Sequence, residues 1–220
     1  MAEGTGFENL HPGNGIVSSN LTSSARKIFN FKNRKFMKYA SRAGEKLEHG
    51  LNFFHINVDG LTCADFGSSA GGFVDCLLQA GAKKVYAVET GYGVLDWKIR
   101  NDERVIVMER TNAMHVELPE KVDFFTVDTS WTKLDKIIPN ALKNLKPNGH
   151  ILALVKPHYE AEPKMLRKGK LLENFIPEIL NKVKVGLREL GVEILGETES
   201  PILGEKGKNK EFLFYLSTRA

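Results

Sequence analysis

The sequence lacks the patterns that would place the protein in an oxidising compartment or in a membrane. Only two cysteines, Cys63 and Cys76, occur in 220 residues, which is too few for a disulfide framework. No apolar run approaches the roughly 20 residues that span a membrane. The first residues carry Glu3 and Glu8 rather than the basic and then apolar run of a signal peptide. We therefore expect a cytoplasmic protein that does not associate with membranes.

Metal-ligand spacing is missing as well. The six histidines are scattered, without a His-x-x-x-His pair or a cysteine pair at ligand spacing, so no metal site is predicted. The hydrophobic content of 42% and charged content of 26% are typical of a soluble globular protein. The length suits one well-buried domain. The net charge is only +4, so the placement of basic residues matters more than their sum.

The amino-terminal part of the sequence differs from the rest. Residues 1–24 are rich in glycine, serine and asparagine and predict a flexible tail. The next segment interleaves aromatic residues with basic ones and contains no acid: Arg26, Lys27, Phe29, Phe31, Lys32, Arg34, Lys35, Phe36, Lys38, Tyr39 and Arg42. This composition fits nucleic-acid binding, and it fits equally a solvated segment whose aromatics pack on the domain. We predict an arm over residues 1–37 and a domain over 38–220.

Strand and helix patterns alternate along the predicted domain. This alternation predicts an α/β fold with a seven-stranded, mostly parallel sheet, and the short connection before the last strand allows a carboxyl-terminal antiparallel hairpin. The predicted strands are 61–66, 84–89, 104–109, 122–127, 150–155, 192–198 and 211–217. The predicted helices are 42–54, 73–80, 133–145 and 173–190, with Pro147-Asn148-Gly149 closing the third helix.

A glycine-rich loop joins the first predicted strand to a helix. Glycines permit positive φ and close approach of a ligand, and the following helix start offers backbone donors. Glu89 lies about twenty residues further on, the spacing of a carboxylate that binds ribose hydroxyls. The stretch therefore predicts a nucleotide-like cofactor, with these loop residues as its ligands: Asp65, Gly67, Ser68, Ser69, Gly71, Gly72 and Phe73.

Two cofactors fit a glycine loop followed by an acid, namely NAD and S-adenosylmethionine. The dehydrogenase pattern Gly-x-Gly-x-x-Gly is poorly matched, because position 69 is serine. Asp65 precedes the loop, where a carboxylate suits the cationic ammonium of S-adenosylmethionine and not a pyrophosphate. These residues favour S-adenosylmethionine, and a dehydrogenase remains the alternative.

Charged residues stand at the predicted ends of three other strands, where an open α/β sheet places its site. Asp128 ends the fourth strand, Lys156 ends the fifth and Glu211 opens the last. Lys156 follows a strongly apolar strand, so it is not expected to lie free on the surface. From spacing alone, a structural ion pair between Asp128 and Lys156 and a catalytic role are equally supported.

Several motifs together resemble the FtsJ-type RNA 2′-O-methyltransferases, and most closely their TlyA (hemolysin A-like) branch. The resemblance runs from about residue 38 to 218 through Ser41-Arg42-Ala43-Gly44-Glu45-Lys46-Leu47, the loop 65–73, Lys84–Glu89, Gly91-Tyr92-Gly93, Glu109-Arg110-Thr111-Asn112-Ala113, Leu154–Glu160 and Ser200–Phe212. It implies a Rossmann-like class I methyltransferase fold and S-adenosylmethionine as cofactor. Asn112 and Asp128 join the implied cofactor-binding residues.

The resemblance also implies a catalytic Lys-Asp-Lys-Glu tetrad on Lys46, Asp128, Lys156 and Glu211, and an RNA partner, ribosomal RNA or a ribosomal subunit. Members of the branch usually begin with an S4-type RNA-binding domain, and residues 1–37 are too short and too polar to form one. Further basic residues lie near tetrad members in sequence and suit an RNA backbone: Lys164, Arg167, Lys168, Lys170, Lys206, Lys208 and Lys210. A methyltransferase of another RNA or of a cap, and a catalytically silent RNA-binding protein, are the alternatives.

Overall fold

A computed structural model of the chain describes residues 37–204 and 208–218. The predicted arm, apart from Met37, lies outside the described residues, and so does Lys206. The domain alternates strands and helices as expected. Its helices are α1 (Ala43–Phe53), α2 (Gly72–Gln79), α3 (Trp97–Arg100), α4 (Leu134–Asn144), α5 (Pro157–Glu160) and α6 (Ile176–Glu189). Its strands are β1 (Thr62–Phe66), β2 (Lys84–Val88), β3 (Val105–Met108), β4 (Val122–Val127), β5 (Leu145–Val155), β6 (Leu166–Arg167), β7 (Lys170–Leu171), β8 (Val192–Glu199) and β9 (Phe212–Thr218).

The main sheet contains seven strands in the order β3-β2-β1-β4-β5-β9-β8. Strands β1 to β5 pair in parallel, while β9 is antiparallel to both β5 and β8. The predicted α/β methyltransferase fold with a carboxyl-terminal antiparallel hairpin is confirmed. The second strand of that hairpin is inserted between β5 and β8 rather than added at the edge.

Two apolar clusters cover the two faces of the sheet. One face packs against α4 and α6 through residues such as Ile138, Val155 and Leu187. The other packs against α1 and α2 through residues such as Leu47 and Leu77. Because side chains alternate along a strand, strands β1 to β5 and β9 contribute to both clusters, whereas β8 contributes Val192 and Ile194 to the first cluster only. The central strands are therefore buried on both faces, as their apolar sequences predict.

Helix α1 lies unusually close to the sheet. A Cβ atom on Gly50 would stand 2.7 Å from Leu152 Cδ2 and 3.1 Å from Leu213 Cδ1, so a larger residue there would push the helix away. Leu47 and Leu51 are buried on the same side of the helix. This close contact fixes the depth at which Lys46, one turn earlier, meets the sheet.

Several predicted boundaries were wrong, each for a local reason. Residues Pro147 to Gly149 were predicted to end a helix before a strand at His150, but β5 already begins at Leu145. Its first residues pair irregularly with β4, with a register shift between Val122 and Phe124, and Asn148 has φ 62°. The helix α3, the helix α5 and the hairpin β6–β7 were not predicted, because two to four residues are too short to show a period.

Candidate active site

The predicted site residues collect at the carboxyl edge of the parallel strands. Asp65 lies in β1, Asp128 directly follows β4, and Lys156 directly follows β5. Glu211 immediately precedes β9, and because β9 runs antiparallel to β5 its start lies at the same edge. Strand alternation places Asp65, Asp128, Lys156 and Glu211 on the face that α1 covers. Lys46 reaches this face from α1.

Lys156 and Asp128 form an ion pair through Nζ and Oδ1. Their side chains are only 12% and 17% exposed, and Lys156 Nζ also donates to the Thr129 carbonyl oxygen at 3.2 Å. The pairing that the sequence left open is therefore present. It does not remove the lysine from the site, because the pair lies at the sheet edge where ligands bind in such folds.

Lys46 and Glu211 form a second pair, with Nζ 2.5 Å from Oε2 and side chains 10% and 4% exposed. In the antiparallel register Val155 faces Phe212, so the next positions along the two chains, Lys156 and Glu211, are neighbours. The structure thus brings all four predicted tetrad residues together as two adjacent, buried pairs. Each charge is balanced within the chain, which is what burial of charge requires.

His158 belongs to this cluster and was not predicted. Among the described residues, its Nδ1 is buried without a hydrogen-bond partner. Burial, and then the positive charges of Lys156 and Lys46, lower the pKa of His158 to about 4. The ring is therefore neutral at pH 7 and lies within the field of both lysines. Its position two residues after Lys156 was the only sequence signal.

The glycine loop adopts a sharply turned conformation. Gly67 has φ 94°, Gly71 has φ 91° and Ser69 has φ 47°. Ser69 therefore occupies the left-handed region that a glycine prefers, at the position where the dinucleotide pattern has glycine. The N–H groups of Gly67 and Ser68 donate to the Val88 carbonyl oxygen, and that of Gly71 donates to the Ser68 carbonyl oxygen. Gly72 begins α2, and the N–H groups of a first helical turn have no partner within their own helix, so this helix start is the part of the loop that suits a ligand.

Two of the predicted loop ligands turn their side chains away from solvent. The Ser68 hydroxyl donates to the Asp65 carbonyl oxygen at 3.0 Å and is buried. The Phe73 ring is 2% exposed within the apolar cluster under α2. Neither side chain therefore faces a ligand at the edge of the sheet, and the backbone N–H of Ser68 also bonds within the chain, to the Val88 carbonyl oxygen at 3.1 Å.

Glu89 lies where the ribose-binding carboxylate is predicted, at the end of β2. Its oxygens accept from the backbone N–H of Ser69 at 2.9 Å and of Gly91 at 2.7 Å. The carboxylate therefore ties the glycine loop to the loop after β2. Asn112 is exposed beyond β3, and its Oδ1 accepts from the backbone N–H of Met114 at 2.9 Å.

Asp65 is the most unusual group at this edge. It is fully buried, and its Oδ1 accepts from Thr126 Oγ1 at 2.7 Å. Its Oδ2 has no hydrogen-bond partner within the described part of the chain. Burial raises the pKa of Asp65 to about 7, while the Thr126 hydrogen bond opposes this rise. A buried carboxylate with an unused oxygen fits a cationic group, and with Glu89 it matches the ammonium and ribose hydroxyls of S-adenosylmethionine.

The described residues contain neither a cluster for a metal ion nor a reactive cysteine. No cluster of three or more histidine, cysteine or acidic residues within 37–204 and 208–218 is placed to hold a metal ion. Cys63 and Cys76 are both buried, and burial raises the pKa of each thiol to about 12. Neither cysteine therefore supplies a thiolate nucleophile at neutral pH.

A shallow depression opens beside Lys156 and is lined by Thr129, Thr132, Leu134, Leu154, Lys156, Tyr159 and Glu160. The Tyr159 ring lies 5.0 Å from the ring of Trp131, and Trp131 is 74% exposed. Glu160 accepts from the backbone N–H of Leu134 at 3.0 Å. This bond holds the start of α4 against α5, so the wall of the depression is fixed beside Lys156.

The fold agrees with comparisons to known proteins. The sequence model of the FtsJ-like methyltransferases matches residues 39–218. The chain belongs to this family. Its FtsJ-like membership confirms the predicted resemblance, the methyltransferase activity and S-adenosylmethionine as the cofactor.

Individual relatives are similar over most of the chain. Hemolysin A of Brachyspira hyodysenteriae is 39% identical over 89% of this chain and 85% of that protein. The 16S/23S rRNA (cytidine-2′-O)-methyltransferase TlyA of Mycobacterium tuberculosis is 36% identical over 82% of this chain and 69% of that protein. A solved structure described as a hemolysin from Streptococcus thermophilus superposes with a TM-score of 0.80 at 37% identity, covering 83% of this chain and 68% of that one.

The hemolysin name of some relatives raises the question of membrane insertion. No helix among the described residues has the length and apolar character needed to cross a bilayer.

Proposed function

We propose that this FtsJ-like methyltransferase transfers a methyl group to the ribose 2′-hydroxyl of an RNA, and that ribosomal RNA, alone or in a ribosomal subunit, is its substrate. The observation that carries the proposal is the pair of buried lysine–carboxylate contacts side by side at the sheet edge. The named activity of the TlyA relative supports the same acceptor. A ribosomal RNA substrate places the enzyme in the cytoplasm.

In this proposal Lys46, Asp128, Lys156 and Glu211 are the catalytic residues. Lys156 Nζ binds the 2′-oxygen of the acceptor ribose and stabilises negative charge that develops there. Asp128 holds the Lys156 ammonium in position, and Glu211 holds that of Lys46. The proton of the 2′-hydroxyl passes to a basic group of this set of four side chains as the oxygen takes up the methyl group.

The cofactor occupies the other half of the edge. S-adenosylmethionine, when bound, supplies the activated methyl group. Asp65 Oδ2 binds its ammonium, since this buried oxygen has no hydrogen-bond partner in the part of the chain that the structure describes, and Glu89 binds its ribose hydroxyls. The remaining contacts come from the backbone of the loop and from neighbouring side chains: Gly67, Ser68, Ser69, Gly71, Gly72, Phe73, Asn112 and Asp128. Together they fix the cofactor beside Lys156.

The exposed basic residues are proposed to bind the RNA backbone. Two residues of the amino-terminal basic segment, Lys38 and Arg42, lie in the described part of the chain, and both are exposed. Of these two, Lys38 forms an ion pair with Glu48. Tyr39 packs in the core at 6% exposure, so it is not available to stack on a base. The remaining aromatic and basic residues of that segment lie outside the described residues.

The direct test uses the full chain with labelled S-adenosylmethionine and purified 16S and 23S ribosomal RNA, followed by digestion to nucleosides. We expect labelled 2′-O-methylnucleosides from the wild type. The variant Lys156→Ala should lose transfer while cofactor affinity, measured by calorimetry, stays within about twofold. Transfer that survives in Lys156→Ala would refute the tetrad assignment.

The same assay separates the alternatives. Capped messenger RNA and transfer RNA are offered in parallel reactions, and label in those alone would redirect the proposal to another substrate. RNA binding without transfer to any of the RNAs would indicate a catalytically silent RNA-binding protein.

A further inference from the structure

The hairpin β6–β7 carries a dense set of exposed cations at the edge of the domain. Its turn is formed by Lys168, with φ 51°, and Gly169, with φ 76°. Arg167, Lys168 and Lys170 are all exposed. None of the three forms an ion pair with a residue of the described ranges 37–204 and 208–218. Three cations on a four-residue turn form a surface for a polyanion such as the RNA phosphate backbone.

A buried asparagine fixes this hairpin to the rest of the domain. Asn209 is 3% exposed. Its Oδ1 accepts from the backbone N–H of Leu171 at 2.8 Å, and its Nδ2 donates to the Gly169 carbonyl oxygen at 3.1 Å. One side chain thus binds both the turn and the returning strand of the hairpin. Its removal would leave two backbone groups of the hairpin without their partner.

The same residue adjoins the proposed catalytic tetrad. Asn209 lies two positions before Glu211, so at most about 7 Å of extended chain separates their Cα atoms. Glu211 is itself held at both ends. Its carboxylate meets Lys46, and its carbonyl oxygen accepts from the backbone N–H of Ser200 at 2.8 Å. The connection between the hairpin and the tetrad is therefore short and anchored.

We propose that residues 166–171 form a binding surface for the RNA phosphate backbone next to the acceptor ribose, and that Asn209 is the positioning residue that holds this surface in register with Glu211. The inference rests on the proposed function and deepens it. It assigns Asn209 a role in RNA docking that is separate from the chemistry of the tetrad. A phosphate held at the hairpin places the adjoining ribose at a fixed distance from Lys156 and Glu211.

The first experiment removes the charges of the surface. The triple variant Arg167→Gln/Lys168→Gln/Lys170→Gln is compared with Lys83→Gln/Lys121→Gln/Lys143→Gln, which removes three exposed cations at the opposite, amino edge of the sheet. Filter binding to 16S and 23S ribosomal RNA is measured from 50 to 300 mM salt. We expect the hairpin variant to bind about tenfold or more weakly and to have a salt slope shallower by about two, whereas the control keeps the wild-type slope. Equal effects of the two triple variants would overturn the binding surface.

The second experiment tests Asn209 by a double-mutant cycle. Asn209→Ala should weaken RNA binding and flatten the salt slope in the wild-type background, because the cations lose their fixed place. In the background of the hairpin triple variant, Asn209→Ala should cause no further loss of RNA affinity. A structural defect alone would weaken both backgrounds equally, and that result would overturn the positioning role.

Two further measurements separate this inference from the proposed function. Cofactor affinity of Asn209→Ala should match the wild type, which shows that the domain remains folded. Methyl transfer should show a raised KM for RNA with kcat reduced less than threefold. If the wild type transfers methyl groups and the hairpin triple variant has an unchanged KM, the inference fails and the proposed function stands. If the wild type binds ribosomal RNA with no methyl transfer, the proposed function fails and the binding tests still decide the inference.

Discussion

The two halves of the carboxyl edge of the sheet treat their charges differently. In the half built by β4, β5 and β9, both lysines meet a carboxylate of the chain, in the pairs Lys156–Asp128 and Lys46–Glu211. In the half built by β1 and β2, Asp65 is buried, and its Oδ2 has no hydrogen-bond partner among residues 37–204 and 208–218. The oxygens of Glu89 accept from backbone N–H groups. Both lysines of the first half are therefore balanced by carboxylates of the chain, whereas in the second half a bound cation would supply the partner of Asp65.

Mutations in the two halves of this edge should therefore have different effects, one on the stability of the protein and the other on cofactor binding. Breaking a pair in the tetrad half should cost stability, because it leaves one buried charge alone. Replacing Asp65 in the cofactor half with a neutral residue should instead stabilise the folded protein and weaken only cofactor binding.

Lys46→Met should lower the free energy of unfolding by about 3 kcal/mol, because Glu211 is left as an unpaired buried charge. The double variant Lys46→Met/Glu211→Leu should recover most of this loss, and urea denaturation measures both. Lys38→Met is the matched control. It removes a lysine whose pair with Glu48 is exposed, and it should change stability little. A single Lys46→Met variant as stable as this control would show that the buried pair does not carry the stability assigned to it.

Asp65→Asn should weaken cofactor binding about a hundredfold, as expected for loss of a buried charged hydrogen bond. At pH 8 the same change should raise the free energy of unfolding of the ligand-free protein. The sign follows from the pKa of Asp65, which burial raises to about 7. Above pH 7 the folded protein must hold an unfavourable carboxylate, which the amide removes.

The stabilisation that Asp65→Asn provides should become smaller as the pH falls from 7 toward 4. In this range Asp65 takes up a proton in the folded protein, while it is still ionised in the unfolded chain. Urea denaturation at pH 8 and pH 5 tests this, with calorimetry for the cofactor. A variant less stable than the wild type at pH 8 contradicts the assigned cost of burial.

Cofactor affinity of the wild type should be about tenfold weaker at pH 6 than at pH 8, because one proton must leave Asp65 before its carboxylate meets an ammonium. Asp65→Asn should show no such dependence, which makes it the control. Calorimetric titration with S-adenosylmethionine at the two pH values gives the comparison. Parallel pH dependence in both proteins would assign the effect to another group.

Ser69→Gly should stabilise the protein by at most about 1 kcal/mol, since it relieves a left-handed residue. Cofactor affinity should stay within twofold, because the backbone N–H that bonds Glu89 remains. Ser130→Gly serves as the control, as Ser130 is exposed and is not left-handed. Thermal unfolding measures both variants, and equal shifts would refute the strain at Ser69.

The sequence was sufficient for the fold because its strands are strongly apolar and regularly spaced. The strand β4 was predicted with its observed bounds, Val122–Val127. The sequence was not sufficient around Pro147 to Gly149. These turn-forming residues lie inside β5, where the pairing with β4 is irregular. A bulge of this kind depends on the neighbouring strand, which no local pattern reveals.

The site shows the same division between local and long-range information. The glycine loop and Glu89 could be found from their spacing. Lys46 and Glu211 form a pair although they are 165 positions apart in the sequence. Only the family resemblance predicted that they belong to the same site. The sequence did not indicate that Asp65 Oδ2 would be buried without a partner among the described residues, because burial is a property of the assembled sheet. For His158 the sequence showed that it lies two positions from Lys156, but not that it would also lie near Lys46.

The insertion of β9 between β5 and β8 has a consequence for the newborn chain. During translation β8 leaves the ribosome first, yet among the described strands it pairs in the sheet with β9 alone, so it stays unpaired until the later strand arrives. Glu211 arrives with that strand. A chain interrupted before residue 211 would thus lack both the strand that pairs with β8 and the carboxylate that pairs with Lys46. The order of the strands therefore makes this ion pair depend on residues that are synthesised after β8.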